Sequence, residues 1–427
     1  MAGNDASAWG AELRPAHLDF SLGDAGADPD PRVGRRGIRK FAIIPTMKTN
    51  RYCAAALLLS MALAPSALRA GKFFVYVGAY TGEKSKGIYS FQFDSSSGAM
   101  TSAALAAEVV NPSFLTIHPN RKFLYAVSEV GNDGKANGAV TAFSIDAKTG
   151  ALTRLNSVSS GGGGACHLVV DKTGKSLMVA NYGSGSVAAF PLAADGRLGE
   201  AAVVMKHSGS SVDPRRQRGP HAHAVVLSAD NRFVFAPDLG LDQILCYRLD
   251  PAKASLTPND PPFAKVAPGS GPRHFAFHPK GKFAYVVNEM GSRVTAFSYD
   301  ASRGALQEIQ TISTLPKDFS GEDNSAEIEV DARGRFLYAS NRGHDSIAVF
   351  AIGKDGKLTL VENTPTNGKI PRNFKIDPTG AYLLAANQNS DNIVQFRIDR
   401  NNGRLTPTGK TLEVSKPVCL QFLPMGK

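Results

Sequence analysis

Histidine, arginine and glutamate side chains recur at two consecutive positions of a short segment that this sequence repeats seven times. The first position holds, in chain order, Ser113, Cys166, His223, Arg273, Ala326, Arg372 and Val418. The second position holds Phe114, His167, Ala224, His274, Glu327, Asn373 and Cys419. Ionisable groups in a packed core cost stability unless they are paired or functional. The pattern therefore predicts a shared site that is built mainly by the middle five copies.

The side chains at these positions suit acid–base chemistry on an anionic ligand. Glu327 is the only carboxylate in the aligned set, which makes it the first candidate for a general base. His167 and His223 are the alternatives, because an imidazole titrates near neutral pH. Arg273 and Arg372 carry planar forks of donors that match a phosphate or a carboxylate. The formal net charge of +11 agrees with an anionic ligand.

Further polar residues flank this set. We expect His221, His274 and Asn373 to contact the ligand beside the two arginines. A basic loop precedes His221, and it either receives an anionic ligand or is simply solvated; its residues are Arg215, Arg216 and Arg218.

Structural roles remain open for several of these residues. Glu327 could neutralise the two arginines in an ion-pair network, and His167 could be a hydrogen-bonded core residue. His221 and His223 are two positions apart on a strand, so they point the same way, as two metal ligands would. A convincing third and fourth ligand are missing, and we therefore predict neither a metal nor another cofactor.

Short strands in a repeated order must position these residues. Corresponding residues of successive copies lie about 46 to 57 positions apart, which is typical of propeller blades. Each first segment precedes a second apolar strand, such as Phe283 to Val287, and a third strand that alternates in polarity, such as Ser346 to Ile352. A more variable fourth strand completes the unit. The sequence predicts an all-β fold, a seven-bladed β-propeller with four-stranded antiparallel blades.

The two ends of the repeat region complement each other. Phe73 to Ala79 and Gly87 to Phe93 have the pattern of a second and a third strand without a first strand before them. Pro417 to Leu423 has the pattern of a first strand with nothing after it. We predict that the C-terminal strand completes the blade that the N-terminal strands begin, which closes the ring and protects its edges.

The first 70 residues precede the repeats. We interpret residues 1–46, which show no sustained hydrophobic period, as a disordered leader or a start site assigned too far upstream. From Met47, a basic start, a short apolar run and a small-residue end predict a signal peptide over residues 47–70. The apolar run is about ten residues, too short to cross a bilayer, although an N-terminal anchor is the alternative. The propeller domain then covers residues 71–427.

Composition excludes several classes of protein. Of 427 residues, 43% are hydrophobic and 20% are charged, which is typical of a globular chain and not of a disordered one. Four cysteines are too few for a disulfide scaffold. The three that follow residue 70, Cys166, Cys246 and Cys419, lie in apolar strand-like segments. We expect them to be buried thiols and not an essential disulfide.

Seven short motifs follow one another in a fixed order through most of the chain after residue 70. They begin at Tyr76 (Tyr-Val-Gly-Ala-Tyr-Thr), Gly87 (Gly-Ile-Tyr), Asn111 (Asn-Pro-Ser-Phe-Leu), Gly219 (Gly-Pro-His-Ala-His), Gly271 (Gly-Pro-Arg-His), Ala326 (Ala-Glu-Ile) and Pro371 (Pro-Arg-Asn-Phe). This order resembles the lactonase family of seven-bladed β-propellers, whose named bacterial activity is 6-phosphogluconolactonase. The resemblance implies action on a lactone ring and points to the same His, Arg and Glu positions without assigning their roles.

The resemblance also sets the expected partners. It implies a small anionic lactone as substrate, with water activated by Glu327 or a histidine and the arginines holding the anion or the oxyanion. We expect no nucleic acid, because the chain has no sustained basic stripe, no membrane contact after signal cleavage, and a monomer. Two alternatives remain: a lactone-forming cycloisomerase of the muconate type, as in fungal members of the family, and a non-catalytic exported binding scaffold.

The signal peptide predicts a periplasmic or secreted protein, and a cytoplasmic one if the segment does not act as a signal. Export conflicts with 6-phosphogluconolactone as the natural substrate, since that compound is made in the cytosol. An exported enzyme would act on another lactone.

Overall fold

The computed structural model describes residues 71–426, which form seven antiparallel sheets and contain no helix. The predicted leader and signal peptide, residues 1–70, lie outside the described residues. No helix in the described part of the chain is long and apolar enough to cross a membrane.

The strands are short and follow one another closely along the chain. They are β1 (Lys72–Ala79), β2 (Gly87–Asp94), β3 (Ala99–Met100), β4 (Ala104–Glu108), β5 (Leu115–Ile117), β6 (Phe123–Ser128), β7 (Ala139–Ile145), β8 (Leu152–Ser159), β9 (Ala165–Val170), β10 (Ser176–Asn181), β11 (Ser186–Pro191), β12 (Val203–Lys206), β13 (Val226–Leu227), β14 (Phe233–Asp238), β15 (Gln243–Asp250), β16 (Ser255–Lys265), β17 (Pro272–Phe277), β18 (Phe283–Asn288), β19 (Arg293–Asp300), β20 (Ala305–Ser313), β21 (Asn324–Val330), β22 (Phe336–Arg342), β23 (Ser346–Ile352), β24 (Leu358–Pro365), β25 (Pro371–Ile376), β26 (Tyr382–Asn387), β27 (Asn392–Ile398), β28 (Leu405–Glu413) and β29 (Pro417–Pro424).

Six sheets are blades of four consecutive strands, and the seventh combines the two ends of the described chain. We number the consecutive blades 1 to 6, from β5–β8 to β25–β28. Most successive first strands, together with β29, contact one another around the central channel, so the first strand of a blade is the innermost. The predicted all-β, seven-bladed propeller with four-stranded antiparallel blades is confirmed.

The closing blade joins β29 to β1. The two strands are antiparallel, with Val77 opposite Leu420 and Gly78 opposite Cys419. The predicted ring closure is therefore confirmed. The outer edge differs from the expected single strand, because β3 and β4 each pair with β2 in succession.

The second strand of each blade carries the core between blades. Strands β6, β10, β14, β22 and β26 are buried along their whole length, apart from Arg342 at the end of β22, because a neighbouring blade covers each face. This explains their continuous apolar runs. A tyrosine from this strand also fastens the next blade: Tyr285 Oη donates to the Gly356 carbonyl oxygen over 3.1 Å, and Tyr338 Oη donates to that of Gly403 over 2.9 Å.

The three cysteines of the described region are buried and free, as expected from their apolar surroundings.

Two innermost strands, β5 and β13, are shorter than the repeats predict. In blade 3, the regular ladder covers only Val226 and Leu227. An isolated bridge pairs Ala222 with Asp238, and the Asp238 carboxylate accepts the backbone N–H of His221 over 2.7 Å.

Candidate active site

Backbone irregularities explain why two adjacent positions in each copy can face the channel. We call the end of the channel where the innermost strands begin the upper mouth, and the opposite end the lower mouth. The pairing register shifts at the upper mouth in several blades, and it leaves out of the ladder Cys166, Arg273, Arg372 and Val418, all from the first aligned position. Such bulges re-aim side chains.

A buried carboxylate at the upper mouth binds three arginines. Glu289 Oε1 accepts a 2.7 Å hydrogen bond from Arg216 Nη2. Glu289 Oε2 lies 3.0 Å from Arg273 Nε and 3.0 Å from Arg342 Nη2. Arg273 also donates from Nη1 to the Ala326 carbonyl oxygen over 2.7 Å. One negative charge thus fixes three positive charges, and the cluster keeps a positive surplus.

The charged groups of this cluster shift one another's pKa values. Burial favours the neutral form of Glu289, but the three arginines outweigh it and hold the carboxyl pKa well below its usual range. Burial and the nearby arginines lower the pKa of Arg273 to about 10, so it is still a cation at neutral pH. Burial likewise opposes the charge on Arg216, yet the Glu289 carboxylate raises its pKa above the ordinary value.

A fourth arginine is available to a ligand. Arg372 makes no ion pair with a described carboxylate, and its guanidinium lies over the ring of Tyr80, 5.4 Å from the centroid. Tyr80 Oη in turn donates to Glu129 Oε2 over 2.8 Å. Although burial opposes the charge, Tyr80 and Glu129 raise the pKa of Arg372, which keeps the fork of donors positive.

Two histidines border this cluster. His223 is 4% exposed, and its Nε2 lies 3.9 Å from Glu289 Oε2. Burial, with the positive charges of Arg273 and other neighbours, lowers its pKa well below the ordinary value, so its imidazole is neutral at pH 7. His221 stacks on Tyr182 with ring centroids 4.5 Å apart, and its Nδ1 lies 2.9 Å from the Tyr182 carbonyl oxygen.

A middle layer of side chains fills the channel below the arginines. Phe114 of blade 1 stacks on His167 of blade 2 at 3.9 Å, and both rings contact His274 of blade 4 across the axis. Glu327 Oε1 lies 3.0 Å from His274 Nδ1, and Glu327 Oε2 accepts a hydrogen bond from Asn373. Because rings from blades 1, 2 and 4 meet here, the layer lies between the upper mouth and the lower mouth.

The residues predicted from sequence thus form two groups and not one. Those at the upper mouth are His221, His223, Arg273 and Arg372. Those of the middle layer are His167, His274, Glu327 and Asn373. His223 and His274 connect the groups, with ring centroids 5.4 Å apart.

The geometry bears on two of the open alternatives, the role of Glu327 and the role of the basic loop. Glu327 contacts His274 and Asn373, whereas the carboxylate that neutralises the arginines is Glu289. Burial raises the pKa of the Glu327 carboxyl. In the basic loop, Arg216 reaches into the site, whereas Arg215 and Arg218 are exposed.

The alignment of first strands did not include several residues of the upper mouth. An alignment of the second strands of the blades identifies them. Asn288 and its equivalents in the other blades are each followed by one residue of this set. From the closing blade through blades 1 to 6, these residues are Tyr80, Glu129, Tyr182, Leu239, Glu289, Arg342 and Gln388. In an antiparallel pair the end of the second strand lies beside the start of the first. Six of these seven residues are polar or charged, and this pattern was readable in the sequence.

The described residues contain no group of three or more His, Cys, Asp or Glu side chains arranged to hold a metal ion. The upper mouth instead combines four cations, two carboxylates and a neutral imidazole beside Glu289. Such an arrangement can bind an anion, stabilise a developing oxyanion and accept a proton from water.

Comparison with known proteins gives matches along nearly the whole described region. A family model described as "Lactonase, 7-bladed beta-propeller" matches residues 74–422. The chain is 39% identical over 353 residues to a 6-phosphogluconolactonase of Bacillus subtilis, covering 82% of this chain and 99% of that protein. It is 37% identical over 353 residues to a 6-phosphogluconolactonase of Formosa agariphila, covering 82% of this chain and 99% of the relative.

Solved structures agree with these matches. The periplasmic gluconolactonase of Pseudomonas aeruginosa superposes with a TM-score of 0.79 at 35% identity, covering 83% of this chain and 100% of the other.

Proposed function

Because this chain belongs to the lactonase family of seven-bladed β-propellers, we propose that it hydrolyses a sugar-derived lactone at the upper mouth. Its substrate carries an anionic group, as does 6-phospho-D-glucono-1,5-lactone, which hydrolysis converts to 6-phosphogluconate. The names of the two relatives support the reaction type. The observation that carries the proposal is the positive cluster around Glu289 with Arg372 left for a ligand.

Of the three candidate bases, the geometry favours His223. Its neutral imidazole takes a proton from water while the water oxygen bonds to the lactone carbonyl carbon. The imidazolium that forms is 3.9 Å from the Glu289 carboxylate, which stabilises its charge. The carbonyl oxygen becomes negative at the same step, and Arg273 and Arg342, held in place by Glu289, stabilise it.

Collapse of the tetrahedral intermediate breaks the bond between the carbonyl carbon and the ring oxygen. His223 returns its proton to the ring oxygen, and the product acid then loses a proton to solvent. Arg372 holds the phosphate or carboxylate of the substrate, with Arg216 and His221 at the edge of the site. The reaction consumes one water and leaves the protein unchanged.

The middle layer takes the role of support. Glu327 holds His274 by its Nδ1, and His274 packs edge-on against His223. His167 packs against His274, and Asn373 donates a hydrogen bond to Glu327. We therefore assign Glu327 and His167 to positioning of the base, with His274 and Asn373 completing the layer. If Glu327 were itself the base, substrate would have to reach it from the lower mouth.

We further propose that residues 71–427 act as a single exported domain, with residues 47–70 as its signal peptide. The P. aeruginosa relative is described as periplasmic, which supports this location. An exported enzyme meets a lactone other than cytosolic 6-phosphogluconolactone, so the anionic group is then a carboxylate or another acid.

The test is a panel of lactones assayed with purified protein of residues 71–427. It contains 6-phosphogluconolactone, a carboxylated aldonolactone and uncharged glucono-1,5-lactone, each with and without a chelator. Faster hydrolysis of the charged lactones supports the proposal. Cyclisation of a carboxymuconate without hydrolysis would favour the cycloisomerase, and no reaction on any compound would favour a binding scaffold. Loss of activity with the chelator would contradict a metal-independent mechanism.

A further inference from the structure

A second cavity lies on the other side of the middle layer. It has a volume of about 440 Å³ and opens at the lower mouth. Its ceiling is the underside of the layer between the two mouths: Phe114, His167, Glu327 and Asn373. The volume falls in the range of small-molecule sites.

The walls of this cavity follow from strand alternation. The residue two positions beyond the middle layer faces the same channel in each blade. These residues are Thr116, Val169, Val226, Ala276, Glu329, Lys375 and Gln421, and all seven are partly exposed. Glu329, Lys375, Ala276 and Gln421 line the cavity itself.

The charges on the walls of this cavity are compensated locally. The carboxylate of Asp377 is buried and accepts hydrogen bonds from the backbone N–H groups of Thr379, Ala381 and Tyr382. Glu329 and Lys375 are the two charged residues among the seven that lie two positions beyond the middle layer; they come from adjacent blades and form an ion pair with each other. The second carboxylate oxygen of Glu329 accepts the Ile376 N–H over 2.8 Å. Burial raises the pKa of Glu327 and lowers that of His167, so both groups tend toward their neutral forms. The upper mouth, by contrast, keeps a surplus of arginines.

We propose that the lower cavity is a second binding site, specific for an uncharged polyhydroxylated compound of about six carbons. Hydroxyl groups both donate and accept, which suits carboxyl, amide and imidazole partners. The ring of Phe114 offers apolar surface to the C–H faces of such a ligand. An anion would face the Glu329 carboxylate, and a cation would face Lys375.

The site is distinct from the upper mouth and does not depend on the proposed activity. Its ligand enters from the opposite end of the channel, and the contacts between Phe114 and His274 lie between the two sites.

The experiment measures binding of D-glucitol, a neutral six-carbon polyol, by ligand-observed saturation-transfer NMR. The Ala276→Phe variant fills the lower cavity, and Arg372→Ala alters only the upper mouth. We expect Ala276→Phe to reduce the transfer signal at least fivefold while hydrolysis of the anionic lactone stays within twofold of wild type. Arg372→Ala should retain the signal. Gluconate, the matched anion, should not compete with glucitol.

A thermal melt checks that Ala276→Phe folds, and Gln421→Phe replaces it if it does not. Loss of glucitol binding in Arg372→Ala with retention in Ala276→Phe would place the polyol at the upper mouth and overturn the proposal. Absence of any signal at 50 mM glucitol, or displacement of glucitol by gluconate, would overturn it as well.

Discussion

Glu289 accepts a 3.0 Å hydrogen bond from Nε of Arg273, and the two residues are sixteen positions apart in one blade. Arg273 is the second residue of the first strand, and Glu289 directly follows the last residue of the second. The antiparallel pairing of these strands therefore creates the central ion pair of the upper mouth. Arg342 comes from the next blade and Arg216 from a loop after blade 2, so the carboxylate ties three parts of the ring together.

Replacing Glu289 by glutamine should abolish most of the activity. Three arginines would lose their common partner, and the imidazolium of His223 would lose its nearby negative charge. We expect kcat/KM to fall at least a hundredfold, about 2.7 kcal/mol of barrier. The exposed Glu200→Gln is the matched control and should be neutral. A Glu289→Gln enzyme within threefold of wild type would exclude this carboxylate from the site.

The same carboxylate should make the protein sensitive to acid. Its folded pKa lies below its unfolded value, which is about 4.3, so its stabilisation is complete above that pH and is lost as the pH falls further. The difference in free energy of unfolding between wild type and Glu289→Gln should therefore shrink between pH 7 and pH 3. Denaturant titrations at the two pH values measure it. A difference in free energy of unfolding that is larger at pH 3 than at pH 7 would contradict a lowered pKa for Glu289.

Removing the Arg372 side chain should affect charged substrates selectively. Its guanidinium has no carboxylate partner among the described residues and is the best-placed anchor for an anion. For Arg372→Ala we expect KM for an anionic lactone to rise about tenfold, or about 1.4 kcal/mol, with KM for glucono-1,5-lactone unchanged. Steady-state kinetics on both lactones test this, with the exposed Arg154→Ala as control. An equal rise in KM for both lactones would show that Arg372 does not recognise the negative charge of the substrate.

The pH dependence should identify the base. Because the pKa of His223 lies well below 6.5, its imidazole stays neutral through pH 7 and for some distance below pH 6.5. We expect kcat/KM, corrected for spontaneous hydrolysis, to be flat over this range and to fall only in stronger acid. His223→Asn should reduce it at least a hundredfold at every pH. An inflection at pH 6.5 or above in wild type would contradict the assignment.

Glu327→Gln distinguishes a positioning residue from a base. As support for His274, Glu327 should affect the rate and not the affinity, because it lies below the arginines. We expect kcat to fall about tenfold with KM unchanged, and the pH profile to keep its shape. A loss greater than that of His223→Asn, with a changed profile, would make Glu327 the base and move the reaction to the lower mouth.

The repeat pattern was enough to predict the ring of blades. Seven copies of a strand pattern, with a missing first strand at one end and a spare one at the other, were sufficient to predict the blades and the closing pair of β1 and β29. Buried second strands keep a continuous apolar run whatever their neighbours are, so local pattern and fold agree.

The pairing of charged side chains became visible in the folded chain and not in the repeat pattern. The alignment of first strands placed Arg273 and Glu327 in one set, but consecutive residues at a bulge lie at different depths in the channel. Glu289 belongs to another strand, and Arg216 to a loop whose path has no repeat to predict it. Ion pairs depend on distances of a few ångströms between blades, which periodicity does not contain.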